Sequence, residues 1–454
     1  MERQKYALLQ NAVSFSKGRL AMKWLYFVVM TVVVLGTITA CAGQSGGPSI
    51  PARIPGGGFA LSAPRDSNSP TRAALSPEAT FTPTALRNPR GRLLLVKGVL
   101  YGALENAGQY NDGAVFSYDP ASGVESTFFS LFNYGEHPNA LVATDGNIYG
   151  TTYRTRRTSA GEIFGISQSD GKLQTAYAFS TASGSPAYPA EGLLYRQEQS
   201  GGTFFGTSYG GGTASCFCGT IYSDQLSADG TSHKVVTLYS FQDGPDGQGP
   251  RSRLINPAGS ILYGTASQGG TFGGRCGHFG CGTVFAFDTS TKKETTLYQF
   301  QSENDAGYPE GELFDLNGNL YGLAGGGSSQ GGALFRVNAT TGAEQVVHDF
   351  GSYNGDGIGP NDGSLIYVDG LFYGVTSAGG NGESRGTVFS FNPDSGEEKI
   401  VCSFGNKPDA SSPVGGLTEY NGELYGITQF GGANGDGAIF EVSTSGNERV
   451  VYSF

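Results

Sequence analysis

The stretch "GELYGITQFGGANGDGAIFEVSTSGNERVVYSF", Gly422–Phe454, decides the fold. It holds an aromatic-Gly signal, a Gly-rich loop, a "GAIF" run, a turn and a last run ending in Phe. Six similar stretches lie upstream. The aromatic-Gly signal recurs as Leu100-Tyr101-Gly102, Ile148-Tyr149-Gly150, Phe204-Phe205-Gly206, Leu262-Tyr263-Gly264, Leu320-Tyr321-Gly322, Phe372-Tyr373-Gly374 and Leu424-Tyr425-Gly426. The intervals are 48, 56, 58, 58, 52 and 52 residues. Each signal leads into a Gly-rich loop and then "GAVF", "GEIF", "GTIY", "GTVF", "GALF", "GTVF" or "GAIF". A turn such as "DPASG" or "NPDSG" follows. The closing runs read as ending at Phe132, Phe179, Phe241, Phe300, Phe350, Phe404 and Phe454. One more apolar run, such as "GSLIYVDG", precedes each signal.

Each unit therefore predicts four short strands. Alternation such as Val284-Phe285-Ala286-Phe287 suits a pleated strand with one buried face. Asn-Gly at 317–318 and 421–422, and Asp-Gly at 145–146 and 369–370, predict hairpins joining the first two strands. A lone four-stranded sheet cannot bury both its faces, so the units must stack, and a ring of them leaves only short edges. Seven units of about 52 residues over 92–454 predict an all-β, seven-bladed β-propeller of four-stranded antiparallel blades. With the strand before each signal innermost, blade one opens at "GRLLLVKG" and blade seven finishes at "RVVYSF". A shifted phase, with one blade built from both ends, is the alternative. A closed ring of this kind is expected to be monomeric.

Composition agrees with this reading. Gly reaches 74 of 454 residues with no three-residue period, which suits many turns. Tyr and Phe number 24 and 29. The net charge is −11, although the first forty residues are basic, with Arg3, Lys5, Lys17, Arg19 and Lys23 against Glu2. The acidic remainder disfavours nucleic acid as a partner, because phosphate needs a basic patch.

At the front, "MKWLYFVVMTVVVLGTITAC", Met22–Cys41, has an apolar run of the length of a secretory core rather than a membrane span. Ile38-Thr39-Ala40-Cys41 resembles the bacterial lipobox, which implies lipidation of Cys41 and a start at Met22. Ala42 after the Cys resembles the Gram-negative pattern for the outer membrane. The alternative is an uncleaved signal anchor. The expected organisation is a signal region at 1–40, a lipidated Cys and Pro/Ser/Gly-rich tether at 41–91, and the propeller at 92–454.

The pattern of LYG, GG, GTVF, a D/N-P-x-S/T-G turn and LYSF resembles the GloVer tandem repeat, abundant in Gloeobacter and Verrucomicrobia. The resemblance covers about 363 residues of the chain. It implies a kelch-like propeller of the choice-of-anchor type, in which the repeats are joined to varied surface anchors. It implies no biochemical activity.

Candidate sites fall on the face that carries the loops leaving the outermost strands and those after the aromatic-Gly strands. Asp246, Asp305, Asp356 and Asp409 each lie four residues before a Pro. Either they cap turns or, with Asp243, Asn304 and Asp362, they supply oxygens to Ca²⁺ as a cofactor. Cys276 and Cys281 predict a disulfide; Cys216 and Cys218 either pair with each other or exchange partners with that loop. Four thiols with His278 have poor spacing for zinc. Cys402 reads as a packed free thiol. Arg154, Arg156 and Arg157 beside Tyr153 form a basic cluster suited to a carboxylate or sulfate on a glycan. Tyr209, Phe272, Phe279 and Phe430 are further candidates for stacking on sugars, or for filling gaps between blades.

No nucleophile elbow, zinc-protease motif, P-loop or dinucleotide fingerprint is present in a matching context. Acid pairs for glycoside chemistry would have to come from Glu136, Glu303, Glu310 or Asp362. The chain reads as a binding or scaffold module at the cell envelope, with a glycan or protein as ligand. The alternatives are a carbohydrate-active lyase or hydrolase and a structural coat component.

Overall fold

A short strand pair, Asn319–Ala324 and Ala333–Asn338, shows why the repeat is written as it is. Gly322 pairs with Phe335, and a Cβ on Gly322 would stand 2.4 Å from the Phe335 ring. The glycine of the aromatic-Gly signal is thus the floor on which the motif aromatic lies. The same contact recurs at Gly102, Gly150, Gly206, Gly264, Gly374 and Gly426. Gly332, at the head of the "GALF" run, has φ +98° and faces Pro360 of the next blade, with 2.3 Å left for a Cβ. Each motif glycine meets a proline in this way, from Gly113 against Pro138 round to Gly437 against Pro89.

The computed structural model describes residues 87–454, apart from 109–111, 132–135, 145, 155–159, 199–200, 214, 228–229, 274–275, 302–304, 361–362, 383 and 406–408. They lie in one compact unit, Ala79–Phe454, and form seven antiparallel blades. Blade one is Arg87–Val96, Val99–Asn106, Ala114–Asp119 and Val124–Ser130, hydrogen-bonded in that order. Blade seven is Ala410–Tyr420, Glu423–Gly431, Ala438–Ser443 and Glu448–Ser453. Both blades are contiguous in sequence, so the phase with the pre-signal strand innermost is the one adopted. The first strand reaches back to Arg87, which brings in Pro89 as blade one's own seam proline.

The ring closes by packing. Phe454 meets Phe116 edge-on at 5.1 Å, Thr418 Oγ1 donates to the Leu93 carbonyl at 2.6 Å, and Tyr452 donates to Glu125 at 3.0 Å. Equivalent edge-on ring pairs join Phe179 to Tyr222, Phe241 to Phe285, Phe300 to Phe335, Phe350 to Phe389 and Phe404 to Phe440, at 4.9–5.3 Å. Each is worth about 0.5–1.5 kcal/mol beyond the area it buries.

Blade one differs from the expected repeat. The backbone N–H of Leu131, not of Phe132, makes the bond to the motif glycine that the other blades make from Phe. Leu131 is fully buried there, so an aliphatic group replaces the ring at the seam between blades one and two. Phe132 lies outside the described residues.

The residue before each seam proline has left-handed φ: Asn88, His137, Tyr188, Gly249, Tyr308, Gly359 and Ser412. That conformation is rare for side chains of this size. At five seams it aims the backbone N–H at the preceding blade, as from Tyr188 to the Ala160 carbonyl and from Tyr308 to the Cys281 carbonyl, both 2.7 Å. A buried seam leaves no water to satisfy that donor, which offsets the strain.

Candidate functional site

Strand order places the loops after the second and fourth strands of every blade on one face, and the tight turns on the other. The exposed large apolar residues follow that division. Phe217, Phe272, Phe279, Tyr353, Ile358 and Phe430 all belong to the loop face, while Val124 lies by a tight turn and Val236 on an outer strand.

One part of this face is a built platform. Tyr153 and Arg154 end the second strand of blade two, and the Arg154 guanidinium stands 5.5 Å from the Tyr153 ring centre. Tyr188, from the inner strand of blade three, packs 5.3 Å from Tyr153 and 6.1 Å from Phe217. The left-handed backbone at Tyr188 is what turns its ring to this cluster. Gly210 keeps the space clear, since a Cβ there would come within 2.5 Å of Phe217 and 3.0 Å of Tyr188. Three rings and a cation thus span two blades, with Phe217 partly open to solvent. Beside them Arg251 lies 4.8 Å over the Tyr209 ring and pairs with Glu310 at 3.3 Å. Arg156 and Arg157 lie outside the described residues, as do Cys41, Glu303, Asn304 and Asp362 and the side chain of Glu136.

The recurring aspartates occupy the blade seams. Asp246 accepts from the Gln242 N–H at 2.9 Å and the Tyr239 hydroxyl at 3.0 Å. Asp305 accepts from the Gln301 N–H at 2.7 Å and the Tyr298 hydroxyl at 3.0 Å. Asp356 accepts from the Ser352 N–H, and Asp409 from the Gly405 and Ala410 N–H groups. This is turn-capping geometry, with one carboxylate oxygen of each aspartate accepting from a backbone N–H four residues before it. A glutamate from the next outer strand completes each cluster. Burial raises Glu294 to about 7, Glu344 to about 8 and Glu448 to about 7, with the neighbouring aspartate adding to the effect in each case. Burial also raises Asp305 to about 6. These glutamates escaped sequence reasoning, although Glu125, Glu294, Glu344, Glu398 and Glu448 recur at one register position and carried the signal.

Each cysteine pair closes within its own loop, Cys216 with Cys218 and Cys276 with Cys281. Bonded sulfurs leave no thiolates for a zinc site with His278. Cys402 is a free thiol at the seam position that holds Tyr239 and Tyr298 in earlier blades, and burial pushes it up to about 12.

The axis holds a second concavity. Each inner strand is broken by a bulge or gap just before its buried Leu, as between Arg90 and Leu94 and between Val414 and Thr418. The residues released there converge on a cavity of about 320 Å³ that includes Arg92, Glu191, Arg253, Ser364 and Glu312. Arg253 reaches Glu312 at 3.6 Å and the Leu193 carbonyl at 3.0 Å. Burial pushes the Arg92 guanidinium below its ordinary value; Glu312 opposes the shift and Arg253 adds to it. The residue types at this position vary from blade to blade, so the charged ring has no repeat signal in the sequence.

Fold and loop face together define a seven-bladed β-propeller with a repeating frame and a non-repeating face. The chain belongs to the Gloeobacter/Verrucomicrobia repeat family, whose profile matches residues 67–222, 137–361 and 277–454. No curated protein matches it in sequence. Similar solved structures include a puromycin hydrolase, 14% identical with a TM-score of 0.49 over 81% of this chain and 53% of that one. A puromycin-hydrolyzing peptidase of Mycobacterium tuberculosis is 11% identical, with a TM-score of 0.49 and the same coverage. The β-propeller domain of the Trilobed protease from Pyrococcus furiosus is 8% identical, with a TM-score of 0.44 over 81% of this chain and 97% of that domain. The chain spans about half the length of the puromycin hydrolase and of the puromycin-hydrolyzing peptidase.

Proposed function

We propose that this chain is an exported, lipid-anchored binding module of the cell envelope whose loop face holds an acidic glycan. The observation that carries the reading is the cluster of Tyr153, Tyr188 and Phe217 with the Arg154 guanidinium over the Tyr153 ring. Aromatic faces stack on the apolar faces of sugar rings, and a guanidinium gives two parallel hydrogen bonds to a uronate or sulfate. The lipobox-like Cys41 and the Pro/Ser-rich segment after it would hang the propeller from the outer membrane. An acidic protein would bind an acidic polymer only where such a local cation outweighs the general repulsion, which makes the site specific.

Hydrolase or lyase chemistry has weaker support. The loop-face aspartates are committed to turn caps, and Glu310 to Arg251. The test is retention of the full chain in gels containing polygalacturonate, alginate or neutral dextran. Selective retardation by an acidic polymer is expected, with Arg154→Ala and Tyr188→Ala together weakening it about 10-fold or more, from one cation and one ring. Retardation that is absent, or indifferent to both substitutions, overturns the reading. Loss of radiolabelled palmitate incorporation in Cys41→Ser tests the anchor.

A further inference from the structure

We infer a divalent transition-metal site at the seam between blades five and six, built by His348, Asp356 and Glu398, with Zn²⁺ the ion that fits its ligands. It does not rest on the glycan reading and shares no residue with the platform.

Equivalent side chains meet at successive seams. At the seam between blades four and five the cluster is Tyr298, Asp305 and Glu344, and between blades three and four it is Tyr239, Asp246 and Glu294. In both, a phenol donates to the aspartate at 3.0 Å. At the next seam His348 occupies the tyrosine position, from the same place in its outer strand. An imidazole brings a lone pair where its neighbours bring a hydroxyl proton.

His348 Nε2 lies 3.3 Å from Asp356 Oδ1 and 3.9 Å from Glu398 Oε2, and one donor atom from each residue lies within 4.8 Å of the other two. Bonds of about 2.0–2.2 Å to a tetrahedral ion set its ligands roughly 3.3–3.6 Å apart, so small side-chain movements close the site. A mixed imidazole and carboxylate set suits zinc, whereas Ca²⁺ selects oxygen alone.

The glutamate supplies a buried oxygen that this register position also carries in other blades, and the imidazole is what this seam adds to it. The Glu398 side chain is 3% exposed, and its Oε1 has no hydrogen-bond partner among the described residues, as is also true of Glu344 and Glu448. Two carboxylates face one histidine there. Lys399, the next residue in the chain after Glu398, is exposed and pairs with Glu397. Asp356 is held by the Ser352 and Gly357 N–H groups, which fixes its orientation. Tyr353 donates to Glu398 Oε2 at 2.8 Å from a half-exposed ring. Its oxygen, or a water admitted beside it, supplies the fourth position, and its exposure gives the ion a way in.

The test uses the full chain in detergent, stripped with chelator and titrated with Zn²⁺ against a chromogenic competitor, then with Co²⁺ for its four-coordinate visible absorption. One equivalent is expected for the native sequence and none for His348→Tyr, which restores the repeat's own residue and so keeps the seam. His348→Gln gives the same readout with a smaller side chain. Tyr298→His should raise the count to two by building the same triad against Asp305 and Glu344. Native protein that binds no ion, or His348→Tyr and His348→Gln that still bind one, overturns the site. So does Tyr298→His that stays at one equivalent, because the imidazole is then not what distinguishes this seam.

Discussion

At six seams an outer-strand phenylalanine meets the next blade's motif aromatic in nearly the same pose. On the loop face the blades diverge: Phe217 stands in blade three, Phe272 and Phe279 in blade four, and Phe430 in blade seven. The seams must be alike because every blade carries the same unsatisfied sheet face to its neighbour. The loops face solvent and bear no such constraint, so their differences are free to carry recognition. Where a seam departs from its fellows, as at His348 or Leu131, the departure is worth a functional or packing explanation.

The hardest blow to this contrast is expected from Phe350→Ala. That ring is fully buried between blades five and six, and its loss should cost about 3–5 kcal/mol by chemical denaturation. Phe279→Ala on the loop face, 66% exposed, should stay within about 0.5 kcal/mol. Equal effects would erase the distinction between seam and face.

Gly332→Ala should come next. It forces a side chain into left-handed backbone and against Pro360, for a loss of about 1–3 kcal/mol in the same measurement. Gly318→Ala shares the unfavourable φ but meets no neighbour within 4 Å, so it should lose less.

Smaller again is a pH dependence located in the seams. Glu344 and Asp305, raised to about 8 and about 6 chiefly by burial, hold protons in the fold that the unfolded chain releases. Their contribution is therefore complete below the ordinary carboxylate range and is lost as pH rises through 6 to 8. The thermal midpoint should climb by roughly 1–3 °C between pH 8 and pH 5, with the modest size reflecting partial solvent screening. Glu344→Gln should flatten part of that slope.

The seven units, their four strands and the position of the loop face were legible because each depends on residue types that recur in order. Gly322 and Phe335 are readable as a motif, since every blade sets a Phe or Tyr ring on the Cβ-free floor of its signal glycine. The Tyr188 contribution was not readable. Asn, His, Tyr, Gly and Ser all serve before the seam proline, so the left-handed turn that brings Tyr188 to Tyr153 has no residue-type signature. The axial charges were hidden for a similar reason, because Arg92, Arg253 and Glu312 come from separate blades and meet only after closure. The aspartates were visible, but their glutamate partners lie one blade further along the chain.

The measurement that tests the central claim most directly compares polygalacturonate binding and unfolding free energy in two variants of the full chain, Arg154→Ala/Tyr188→Ala and Phe350→Ala/Phe279→Ala. The first is expected to lose affinity about 10-fold while keeping its stability within about 1 kcal/mol, and the second to lose stability while its folded fraction binds as before. A first variant that binds normally, or a second whose folded fraction does not bind, would contradict the division of labour between seam and face.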